Sequence, residues 1–354
     1  MKLGGSSRTV IGVDIGRRTM KAAQLVRSRG HWRAFALAML PRPEPEKETC
    51  GADAAALRKV LRRQGFSGKR IVVAAPEERT LQAALELPSK VSGAPMGQIV
   101  RMEMSRLHNV APDSFEMAYW ELRTPDSAKP VVRTFAVGCP HDAGAAVMDV
   151  FESEGFDVKA LDVRSAAAVR ACEPLILPVP QITAIADLGW RSTSVLFVCG
   201  RSLMYERRVG GASIGELTAK LAEVFGITLE AAQHIVNTVG LSVEDPGGID
   251  RQTLDVIRKH VRTHFDKMLE EWKAPFSYVN HQYPAEGLKQ LLLIGGGAAV
   301  PQIAPYVQER LGLRVRTVAA GDLIESPVEL LAKAQNPAMT VAVGLAQFGG
   351  PADG

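Results

Sequence analysis

The sequence predicts an α/β protein of two lobes built to one plan, with a small α+β module set into the first lobe. Three observations predict it. A short apolar strand ending in Asp-x-Gly opens each half, at residues 10–16 and again at 182–189. Two further strand-like segments follow each copy. Late in the second half, the apolar run at 291–294 leads straight into Gly295, Gly296 and Gly297.

Taken in order, residues 10–15 form a β-branched run that ends in a tight turn. Residues 21–26 and 32–40 continue it as a meander, and 41–51, rich in Pro and Glu, read as a loop. Helical periodicity covers 52–64, and 71–75 is another apolar strand, closed by Pro76. From about 80 to 156 the character changes. A strand (81–87), a Pro/Ser/Gly break and an amphipathic helix (96–107) are followed by strands at 115–122 and 131–137. A helix at 142–154 with Gly155 as its cap completes the module. Pro174, Pro178 and Pro180 mark a boundary, after which 182–188, 194–199 and 203–209 repeat the opening pattern. That repetition reads as duplicated architecture with few shared identities. Helices are expected at 213–225, 229–239, 250–272 and 303–311, and a small-residue helix at 337–348, with 351–354 as a frayed tail.

Composition narrows the function classes. The chain has 354 residues, enough for two or three well-buried cores. Its net charge of +4 comes from 42 basic and 38 acidic residues that are interspersed, too mild to imply nucleic acid. Cys50, Cys139, Cys172 and Cys199 form no CxxC pair, which argues against a zinc or disulfide framework. Residues 1–8 are polar with no apolar segment behind them, so no secretory signal is expected. No stretch reaches the roughly 20 apolar residues of a spanning helix. The expectation is a cytosolic protein, or one held at a membrane through partners.

The first turn, Asp14-Ile15-Gly16-Arg17-Arg18-Thr19-Met20-Lys21, brings a carboxylate to a hairpin. Gly16 permits close backbone approach, successive amides can cradle phosphate oxygens, and Asp14 could hold a hydrated Mg²⁺. Lys21 offers a point charge. Alone, the segment reads more simply as an Asp-x-Gly hairpin turn with solvated basic residues. The second turn, Asp187-Leu188-Gly189-Trp190-Arg191-Ser192-Thr193-Ser194, repeats the logic, and two such hairpins face to face would clamp a phosphate tail. The run Gly295-Gly296-Gly297 would let a flat base lie on bare backbone. A strand-to-helix turn needing positive φ explains part of it. His260 and His264 have a zinc-compatible i, i+4 spacing but lack a third ligand, so a solvated helix face is the simpler reading. No G-x-x-x-x-G-K-[ST] loop or G-x-G-x-x-G fingerprint occurs. Trp120, Trp272 and Tyr278 read as packing residues.

In this order the motifs resemble the phosphate 1, phosphate 2 and adenosine motifs of the superfamily that joins actin, the heat-shock chaperones and sugar kinases. Within it the chain resembles the PilM family of type IV pilus assembly proteins, and next to that FtsA. The likeness includes the inserted module, the segments 210–218 and 225–232, Pro301, the stretch to Leu311-Gly312-Leu313-Arg314-Val315, and a closing helix at 339–346. The resemblance implies an actin-like, ribonuclease H-like fold. Its first lobe would span 8–180 with the module at about 80–156, its second 181–335, and helix 336–348 would return to the first. It implies ATP between the lobes, facing Asp14, Gly16, Arg17, Thr19, Lys21, Asp187, Gly189, Arg191, Ser192, Thr193, Gln233 and Gly295, Gly296 and Gly297. Mg²⁺ would sit on Asp14 and Asp187 through its water. It implies a PilN-like cytoplasmic tail as partner, in a groove beside the module. Other pilus or type II secretion platform proteins would join it at the cytoplasmic face of the inner membrane, reached only through partners.

The sequence departs from that pattern. Arg17 and Arg18, and Trp190 and Arg191, stand where small residues follow the loop glycines, and Gln233 and Val236 where an acid and a lysine meet the ribose. Two readings compete: the arginines bind phosphate directly, or they pair with Asp14 and Asp187 and close a degenerate cleft. The leading expectation is an assembly scaffold with weakened ATP binding. The alternatives are an active ATPase and a small-molecule kinase, for which Trp190 and Arg191 are poor neighbours to a catalytic base.

Overall fold

The computed structural model describes residues 8–28, 30–88, 95–122, 131–244, 247–284 and 287–350. The polar stretch before residue 8, most of the Pro/Ser/Gly break and the tail at 351–354 lie outside them. Two five-stranded mixed sheets and one three-stranded sheet organise the chain.

The first sheet contains β1 (Ile11–Ile15), β2 (Thr19–Ser28), β3 (His31–Pro41), β4 (Arg70–Ala74) and β8 (Asp157–Asp162), in the order β3-β2-β1-β4-β8. The second contains β9 (Ile182–Leu188), β10 (Thr193–Cys199), β11 (Ser202–Val209), β12 (Leu288–Ile294) and β13 (Arg314–Thr317), in the order β11-β10-β9-β12-β13. The two orders are the same: an antiparallel meander whose first strand pairs in parallel with the fourth. The duplication seen in the Asp-x-Gly motifs is therefore a duplication of topology. Between β4 and β8 the chain forms β5 (Leu81–Pro88), β6 (Phe115–Glu121) and β7 (Val131–Pro140), an antiparallel sheet in the order β5-β7-β6.

Besides short 3-10 turns, the described residues form ten α-helices: α1 (Gly51–Arg63), α2 (Met96–His108), α3 (His141–Ser153), α4 (Arg164–Cys172), α5 (Ile214–Phe225), α6 (Leu229–Thr238), α7 (Arg251–Gln282), α8 (Ile303–Leu311), α9 (Leu331–Ala334) and α10 (Thr340–Ala346). Strand alternation divides the first core. Ile71 and Val73 join Val147 and Phe151 of α3 and Leu57 of α1 on one face. Val72 and Ala74 join Ala167 of α4 and Val343 of α10 on the other. The module has its own small core, where Val100 and Met104 of α2 meet Leu85, Phe115 and Ala136. Every residue of β9 and β10 is buried, as continuous apolar runs between layers require.

Three segments differ from the sequence reading. Residues 157–172 carry β8 and α4, where no element was expected, and β13 was likewise unassigned. α7 does not stop at Trp272 but runs through Pro275 to Gln282. Pro275, Phe276 and Val279 are buried there, and Phe276 stacks on Trp272 at 6.0 Å. Packing thus outweighs the lost helical bond that proline imposes.

Candidate functional site

Each sheet delivers one carboxylate to the space between the lobes. Asp14 faces Lys21 across the β1–β2 hairpin, which Gly16 closes by donating its N–H to the Thr19 carbonyl at 3.0 Å. Asp187 faces Ser194 across β9–β10, and Gly189 donates to the Ser192 carbonyl at 3.1 Å. Both acids are shielded: Asp14 is 1% exposed and Asp187 8%. Together the two hairpins, Gln233, the three glycines and Arg164 line a cleft of about 550 Å³, within the size range of small-molecule sites.

Arg164 joins the two carboxylates. It is the first residue of α4, and its Nη1 donates to Asp14 Oδ1 while its Nη2 donates to Asp187 Oδ2 at 2.9 Å. Its Nε lies 3.6 Å from Glu77 Oε2. Lys21 Nζ stands 3.1 Å from Asp14 Oδ2, off the line of a good hydrogen bond, so charge holds that contact. Burial pushes the Asp14 carboxyl up, and the Arg164 and Lys21 charges more than reverse it, leaving Asp14 below the usual range. Burial likewise opposes the Arg164 charge, and Asp14, Asp187 and Glu77 overcome it.

The arginines of the loops are also engaged, but not with the aspartates. Arg17 pairs with Glu78, and Arg191 donates to the same Glu78 Oε1 at 3.0 Å. Arg18 donates to Glu230 of α6 at 2.9 Å and covers the Trp190 ring at 5.0 Å. Trp190 Nε1 donates to Glu46 Oε1 at 3.1 Å. The expectation that Arg17, Arg18 and Arg191 close the cleft on Asp14 and Asp187 is thereby corrected. Their side chains lie at the hairpin tips, where Glu78 and Glu230 meet them. The aspartates sit on the strands, one pair back from each turn, where Arg164 reaches them.

The glycine run divides its duties. Gly295 adopts φ +83°, and a Cβ there would collide with Asp187 Oδ1. A Cβ on Gly297 would come within 2.5 Å of Ile214 Cγ1. Gly296 alone faces open space. Two of the three glycines are therefore needed for the turn and for packing, and one leaves bare floor in the cleft. Thr193 lies outside the lining, 2% exposed on β10, and Val236 is fully buried. Away from the cleft, burial against the start of α5 lowers the His264 pKa to about 4, so the ring is neutral. Among the described residues no three His, Cys, Asp or Glu side chains gather as a metal group.

A hydrated Mg²⁺ needs carboxylate oxygens turned toward it. Here Arg164 holds one oxygen of each aspartate and Lys21 faces the second oxygen of Asp14, so the residues as they stand do not fit the ion. Sequence reasoning missed Arg164, and with it Glu46, Glu77, Glu78 and Glu230. One signal was present. An arginine at the first position of a helix meets the positive end of the helix dipole, so Arg164 needs acidic partners from elsewhere.

Two sheets of one order, each sending an acidic hairpin into a shared cleft, define an actin-like ATPase fold. Solved structures agree. The chain is similar to the PilM-PilN type IV pilus biogenesis complex, with TM-score 0.78 and 20% identity over 97% of this chain and 99% of that one. MreB5 of Spiroplasma citri bound to ADP matches with TM-score 0.54 and 12% identity, over 96% and 95% of the two chains. EutJ of Carboxydothermus hydrogenoformans matches with TM-score 0.52 and 17% identity, over 97% and 90%. The family model for type IV pilus assembly protein PilM matches residues 12–348. The chain belongs to the PilM family of type IV pilus assembly proteins. No curated protein sequence matches it.

Proposed function

We propose that this chain is an assembly scaffold on the cytoplasmic face of the pilus inner-membrane platform, with a weakened nucleotide cleft. Family membership over residues 12–348 supports the assembly role. A PilN-like membrane protein is its partner, bound through a cytoplasmic tail; the similarity to the PilM-PilN complex supports the pairing itself. None of the described helices is long and apolar enough to cross a membrane. In this reading, attachment runs through that partner.

The Asp14–Arg164–Asp187 bridge is the observation that supports weakened ATP binding. Phosphates entering the cleft would have to separate Arg17 and Arg191 from Glu78, and the carboxylates meant for the metal are occupied. Calorimetric titration tests both halves of the reading. The tail peptide of a PilN-like protein is expected to bind with or without nucleotide, and ATP with Mg²⁺ to bind poorly or not at all. Micromolar ATP affinity, or steady turnover abolished by Asp187→Ala, would remove the weakened cleft. A tail peptide that does not bind would remove the scaffold.

A further inference from the structure

We infer that the Arg164 guanidinium is a built-in replacement for the divalent cation between Asp14 and Asp187, so that the lobes close on a covalently attached charge instead of an exchangeable ion. The inference rests on the cleft being that of an actin-like ATPase, and it names what holds the cleft in this chain.

Position comes first. Asp14 belongs to the first sheet and Asp187 to the second, and Arg164 bonds to both from one planar fork. A guanidinium can serve two carboxylates at once, which a lysine ammonium does less well, and it stays protonated at any pH a protein survives. Charge comes second. Around this point Asp14, Asp187 and Glu77 face Arg164, Lys21 and Arg208, the last with its Nε 3.3 Å from Glu77 Oε1. The two aspartates are balanced by Arg164 and Lys21, so a divalent ion entering between them meets no net negative charge. Burial comes third. Both aspartates are shielded from water, so without Arg164 the two carboxylates would keep only Lys21 beside them and carry one uncompensated negative charge in a site of low dielectric. Such a pair either takes up protons or captures a cation.

Removing the arginine should therefore create a metal site. The test compares thermal unfolding and Mg²⁺ titration calorimetry of the full chain and its variants, in EDTA and in MgCl₂, with no nucleotide present. The unmodified chain is expected to melt at the same temperature in both. Arg164→Ala is expected to melt lower in EDTA and to recover by about 2–4 °C in Mg²⁺, with measurable Mg²⁺ heat. Arg164→Gln, which keeps most of the side-chain volume, should behave alike and guards against a packing failure in the alanine variant. Adding Asp14→Asn to Arg164→Gln should abolish the gain. The inference is overturned if the unmodified chain responds to Mg²⁺ as strongly as the variants do. It is also overturned if neither variant responds, or if the gain survives Asp14→Asn. None of these outcomes touches tail-peptide binding, so the scaffold reading stands or falls separately.

Discussion

Arg42 shows how a single side chain can fold a segment that its sequence marks as open. The loop after β3 is rich in Pro and Glu, yet Arg42 is 5% exposed and Asp53 is fully buried. Arg42 Nε and Nη2 donate to Asp53 Oδ1 and Oδ2 at 3.0 and 2.6 Å, and its remaining donors reach the Lys47 and Glu48 carbonyls. The pair thus pulls the loop against α1 and fixes Glu46, which receives Trp190. Asp53→Ala strips the partner from a buried cation. Chemical denaturation should show a loss of about 3–5 kcal/mol, and Trp190 fluorescence should report a loosened cleft mouth. At this scale the sequence was legible where backbone geometry dictates the residue, as at Asp14, Gly16, Asp187 and Gly189. It was silent on partners distant in sequence. Nothing local to Arg164, Glu78 or Glu230 says which charge each will meet.

Among the elements, α10 depends on two missing side chains. A Cβ on Gly12 of β1 would strike the Ala342 carbonyl and the Ala346 amide, and one on Gly344 would strike the Ala167 carbonyl. The helix therefore lies directly on the first sheet and on α4, backbone to backbone. Gly344→Ala should destabilise the protein by about 1–3 kcal/mol through overpacking. Gly51→Ala, at the open start of α1 with nothing within 4 Å, should be neutral or slightly stabilising. Equilibrium unfolding in urea compares the two. Strands with β-branched runs and helices with clear periodicity were readable. β8 was not, because Asp157-Val158-Lys159-Ala160-Leu161-Asp162 mixes charges through a short strand. α4 was not, because its run of small residues, Ser165 to Ala168, gives no amphipathic contrast. Pro275 masked the second half of α7 for the opposite reason, being a local rule that tertiary packing overrode.

Across the whole molecule, the module ties the two lobes together from the side. Trp120 of β6 donates Nε1 to the Leu203 carbonyl on β11 at 2.8 Å, and Gln82 of β5 donates to Glu206 Oε2 at 2.9 Å. Trp120 also packs on Phe135 at 5.4 Å. Trp120→Phe keeps an aromatic ring there but removes the donor. It should cost about 1 kcal/mol, and hydrogen exchange should rise at both β6 and β11. A change confined to β6 would mean that the bond does not couple module and second lobe. The duplicated plan was visible in the sequence because Asp-x-Gly recurs at the head of each half. That the cleft is bridged at its root by Arg164 was not, because the bridge exists only once both halves meet.

The seat of α10 on Gly12 also sets an order of events at the ribosome. Strand residues 11–15 emerge early, but the helix that covers them, 340–346, is made only after the entire second half. Until then one apolar side of the nascent first sheet, including Ala23, Leu25 and Val72, lacks the helix that seats on it, and the growing chain must shelter it or keep it from its neighbours.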